Sequence, residues 1–73
     1  MTDQEFQEVT EITLNWASNV SEMWVGTLYQ EQIDTQVETI KNLLENDQFD
    51  SAREEVFELA QFLVEAERQY ESV

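Results

Sequence analysis

The sequence predicts an all-α protein, a small antiparallel bundle of three helices that self-associates. Three observations predict it. The chain has no proline and one glycine among its 73 residues, so little forces a helix to stop. Its apolar residues, 41% of the total and including four Phe, two Trp and two Tyr, recur at steps of three and four. The only clusters of turn-forming residues lie at Gly26 and around Asn46 to Asp50. These joints divide residues 1–73, read as a single domain, into three segments.

The first segment opens with Thr2 and Glu5 at capping-box spacing, then carries Val9, Ile12, Trp16, Val20 and Met23 as its expected core stripe. Gly26, with Thr27 and Gln30 behind it, reads as a helix end followed by a second capping box. A helix running through Gly26 would cost only about 1 kcal/mol and would turn the bundle into one of two helices. The second segment places Ile33, Val37, Ile40 and Leu44 on one face, widened by Leu43. Asn46 is then expected in the left-handed cap position, with Asp50 or Ser51 capping the next helix. The third segment is the most regular, because Ala52, Val56, Leu59, Leu63, Ala66 and Tyr70 step four, three, four, three, four, the spacing of a coiled-coil-like seam.

A chain of this size buries about 60% of the surface it exposes when unfolded, so its core is marginal. Without cysteine or histidine it has neither a disulfide nor a structural zinc site to reinforce it, which leaves self-association. Leu14, Val25 and Leu28 fall off the expected core stripe and are the candidate oligomer interface. Phe62 also falls off its seam, whereas Trp24, Phe57 and Val64 lie at the flanks, where a bundle would absorb them.

Seventeen acids face three bases, Lys41, Arg53 and Arg68, for a formal charge of −14. A field of that sign repels nucleic acid and anionic membranes and steers the protein toward basic surfaces. No apolar run approaches the roughly 20 residues that span a bilayer, and Met1 to Phe6 do not resemble a signal peptide. The expected compartment is the cytoplasm, which the absence of cysteine fits.

Catalysis is not expected. Histidine, the commonest general acid-base group, and cysteine nucleophiles are absent, the serines have no histidine to activate them, and Lys41 sits between Glu38 and Glu45 on a polar face. Glycine-rich phosphate loops require more than one glycine, so no nucleotide cofactor is expected. The acids lack the order of a calcium loop and the Glu-x-x-His pair of a di-iron site, so no metal is expected either.

The acids instead form rows. Glu31, Asp34, Glu38 and Glu45 follow one face of the second segment, Glu54, Glu58 and Glu65 one face of the third, and Glu8, Glu11, Asn15, Ser18 and Glu22 one face of the first. Helical neighbours three or four apart have Cβ atoms about 5–6 Å apart, a spacing of the same order as phosphates on a strand. The leading expectation is a protein-binding inhibitor or regulator that occupies the basic, nucleic-acid-binding surface of a target protein, in the manner of virus-encoded DNA mimics. Its partner-binding residues are Glu31, Asp34, Glu38, Glu54, Glu58 and Glu65, anchored by Trp24 or Phe62. The alternative is a structural or adaptor protein whose helices pair through apolar seams, its acids serving only solubility.

Overall fold

A computed structural model describes residues 2–71, in which α1 (Asp3–Met23), α2 (Leu28–Glu45) and α3 (Phe49–Glu71) pack against one another, and no strand occurs among the described residues. The helix starts follow local chemistry. Thr2 Oγ1 accepts the Glu5 N–H at 3.2 Å, the Thr half of the expected box, while Asp3 and Glu5 place negative charge at the positive end of α1.

Gly26 breaks the chain. Its φ of +82° lies in the left-handed region, so α1 and α2 are separate helices. The second box forms in altered shape, because Thr27 Oγ1 donates back to the Trp24 carbonyl at 2.6 Å instead of capping α2. Gln30 Oε1 accepts the Gly26 N–H at 2.9 Å, one residue earlier than the usual reciprocal bond.

At the second joint the left-handed residue is Asp47, with φ +58°, and not Asn46, which ends α2 at φ −95°. Asp47 N–H donates to the Leu44 carbonyl at 3.2 Å and Gln48 N–H to the Leu43 carbonyl at 2.9 Å, the bond pair of a Schellman ending. Asn46 spends its side chain on the Asn42 carbonyl at 2.8 Å. With α2 ended this tightly, α3 starts at Phe49, so Asp50 and Ser51 lie within its first turn and do not cap it.

The core consists of Phe6, Ala17 and Val20 from α1, Ile33 and Ile40 from α2, and Ala52, Val56, Leu59, Leu63 and Ala66 from α3. The α3 seam is thus buried as read, except that Tyr70 is exposed. On α1 the expected stripe is rotated. Val9 and Ile12 are exposed, Trp16 and Met23 half-buried, and the inward face is Phe6, Thr10, Thr13, Ala17, Val20 and Ser21. Small side chains on that face let α1 lie close to the bulky Ile33, Ile40, Leu59 and Leu63, which fill the space between the helices. Two of its hydroxyls find partners, since Thr13 Oγ1 donates to the Val9 carbonyl at 2.8 Å and Ser21 Oγ to Asp34 Oδ1 at 3.0 Å. The Thr10 hydroxyl is buried without one.

Candidate functional site: an acidic groove and an acidic row

Every acid is exposed except Glu55 and Glu67, which are half-buried. Glu55 Oε2 accepts the Gln36 side-chain N–H at 3.5 Å, and Glu67 Oε1 accepts the Trp16 indole N–H at 2.6 Å. The remaining carboxylates therefore form the solvent face of each helix, and the packing decides which of them meet.

An open groove of about 750 Å³ runs between α1 and α2. Its floor is Leu14, Ala17, Ile33 and Val37, and its charged lining residues are Glu11, Glu22, Asp34 and Lys41. The Ser21 hydroxyl fixes Asp34 at this groove. Glu38 is exposed one turn further along α2. The groove is an anionic channel with an apolar floor, suited to a basic side chain that buries its stem and leaves its charge against carboxylates.

Of the residues expected to bind a partner, Asp34 lies in this groove. Glu31 is exposed on the other side of α2, where it lines a shallow groove with Leu28, Gln32, Gln36 and Glu55. Glu54, Glu58 and Glu65 are exposed on α3 and line neither groove. The six acids thus occupy more than one face. Glu22, next to the Ser21 that bonds Asp34, and Glu11, about 16 Å away along α1, line the same groove and belong to the α1 row at steps of four, three and four through Asn15 and Ser18, a signal visible in the sequence.

Trp24 and Phe62, the expected anchors, are half-buried against the core. Trp24 packs on Tyr29 with ring centroids 4.6 Å apart and meets Tyr70 edge-on at 5.6 Å. Phe62 packs on Tyr29 at 5.6 Å, so it belongs to this aromatic cluster and does not stand outside the bundle. Leu14 is half-buried at the floor of the α1/α2 groove, whereas Val25 and Leu28 are 66% and 74% exposed at the α1–α2 joint. Phe57, expected to be absorbed, is exposed.

Among the described residues no three acids converge on a metal-sized site. No helix among them is long and apolar enough to cross a membrane. Comparison with family models, curated proteins and solved structures finds no match to this chain.

Proposed function

We propose that the protein binds the basic, nucleic-acid-binding surface of a target protein in the cytoplasm and blocks it by presenting the charge of a nucleic acid, with no catalytic step. The observation that carries this is charge per length. The net charge of −14, all of it on described residues, is spread along a bundle 38 Å long. That is one charge per about 2.7 Å, between the roughly 3.4 Å of a single strand and the roughly 1.7 Å of duplex DNA. Because the acids are at the surface, a basic cleft shaped for a phosphate backbone meets a field of comparable strength.

The rows supply the pattern. Asp34, Glu22 and Glu11 are strung along one groove, and Glu54, Glu58 and Glu65 along α3. Cross-helix pairs such as Ser21 with Asp34 and Tyr29 with Phe62 support an antiparallel order that turns these rows to different sides of the bundle. Trp24 and Phe62, largely committed to the aromatic cluster, hold the helices that carry the acids.

The test is charge reversal. Glu54→Lys with Glu58→Lys, and separately Asp34→Lys with Glu38→Lys, should slow association with the basic partner by about tenfold or more at low salt. Unchanged association at low salt for both pairs would count against the proposal. The adaptor reading draws on exposed Val25 and Leu28; under it, polar substitution there would abolish binding and salt would matter little.

A further inference from the structure

The face between α1 and α3 differs from the rest of the surface. Val9 and Ile12 of α1 and Phe57 and Val64 of α3 are all exposed there, Ile12 at 67% and Phe57 at 58%. Between the two helices lies a small hollow of about 90 Å³, lined by Phe6, Val9 and Thr13 on one side and Val56, Phe57 and Ala60 on the other. Its one charged lining residue is Arg53. Four other grooves between described residues each carry at least one carboxylate, so this hollow is where an acidic chain offers apolar surface and a cation together. Arg53 holds its guanidinium 5.6 Å from the Phe6 ring centroid, and its Nε is buried without a hydrogen-bond partner.

We propose that this face pairs with the same face of a second copy of the chain, forming a twofold homodimer in which the Ile12 side chain of each copy enters the α1/α3 hollow of the other. Charge selects the occupant. A basic partner would be repelled by Arg53 here and drawn to the acidic groove instead, whereas an acidic copy brings Glu5 and Glu8, one turn ahead of Val9 and Ile12, toward the opposing Arg53. A twofold interface needs one self-complementary patch, and a protruding isoleucine beside an apolar hollow is such a patch. α2 contributes no residue to the hollow, and the exposed acids one turn from its apolar rim are Glu5 and Glu8 of α1 and Glu54 of α3. A standard interface takes about 800 Å² from each partner, roughly one-seventh of this chain's 5201 Å².

This face is not the Val25 and Leu28 surface expected from the sequence, and sedimentation equilibrium of the full chain separates the two. The proposal expects a monomer–dimer equilibrium in the micromolar range, tightened about fivefold or more between roughly 50 and 500 mM NaCl as repulsion between two acidic chains is screened. Ile12→Ser and Phe57→Ser, exposed positions whose folding circular dichroism would verify, should each weaken the dimer about tenfold or more. Val25→Ser with Leu28→Ser should change it less than about twofold. A chain still monomeric near 1 mM at high salt would overturn the proposal. So would a dimer indifferent to Ile12→Ser and Phe57→Ser, or one dissociated by the Val25 and Leu28 substitutions.

Discussion

Thr10 and Thr13 sit one turn apart on the buried face of α1, both nearly inaccessible, and differ in one respect. Thr13 Oγ1 donates to the Val9 carbonyl at 2.8 Å, whereas the Thr10 hydroxyl has no partner. Valine replaces threonine almost isosterically and has a similar helix propensity, so Thr→Val at each site isolates the hydroxyl. A buried polar group without a partner costs about 1–3 kcal/mol, and Thr10→Val removes that cost while leaving the volume filled. The expected gain is about 1–2 kcal/mol, and each kcal/mol moves the midpoint of a domain this small by about 4–8 °C. At Thr13 the substitution gives up a hydrogen bond worth about 1 kcal/mol and recovers part of it by burying a methyl group, for a net change within about 0.5 kcal/mol. Thermal and urea unfolding followed by circular dichroism, at one low protein concentration so that association does not enter, measures both. A Thr10→Val variant no more stable than wild type, or one matching Thr13→Val, would refute the packing of α1 described above.

Three further outcomes follow from the same geometry. Asp47→Gly should stabilise the fold by about 0.5–1.5 kcal/mol in urea unfolding, because glycine tolerates φ +58° and the substitution removes a negative charge from the C-terminal end of α2. Trp16→Phe should cost about 1 kcal/mol by losing the indole bond to Glu67, with the aromatic packing retained. Like-charge neighbours such as Asp34 and Glu38, Glu54 and Glu58, and Glu67 and Glu71 each cost a few tenths of a kcal/mol, so screening them with about 0.5 M NaCl should raise the melting midpoint by several degrees.

The α3 seam was legible because its apolar residues keep one helical phase from Ala52 to Ala66, and Ile33 and Ile40 share that regularity on α2. The phase of α1 was not. Its heaviest stripe, Val9 to Met23, competes with a lighter one of Thr10, Thr13, Ala17 and Ser21, and close approach to bulky neighbours selects the lighter. Side-chain hydropathy favours the wrong stripe, because it does not register that the Thr13 and Ser21 hydroxyls can bond to a carbonyl and to Asp34, while Thr10 is carried inside with its hydroxyl unpartnered. Turning α1 exposes Ile12, and the same packing leaves Phe57 uncovered beside Val9. Phe62, off the seam as read, is half-buried because Tyr29 and Trp24 extend the core beyond the seam as an aromatic cluster. The exposure of the acidic rows was legible from their spacing. Which rows share a groove depends on the rotation of α1, so the presence of Glu11, Glu22 and Asp34 in one groove emerged only with the fold. At the second joint Asn46 and Asp47 are both permitted left-handed residues, and the bonds from Asp47 to Leu44 and from Gln48 to Leu43 select Asp47.

Affinity capture from the native host's lysate, run at about 50 and 500 mM NaCl and repeated with excess duplex DNA, with the bound proteins identified by mass spectrometry, separates nucleic-acid mimicry from apolar pairing. Mimicry predicts a nucleic-acid-binding protein that is retained at low salt, lost at high salt and displaced by DNA. A partner that survives high salt and ignores DNA, or recovery of the chain alone, would contradict it.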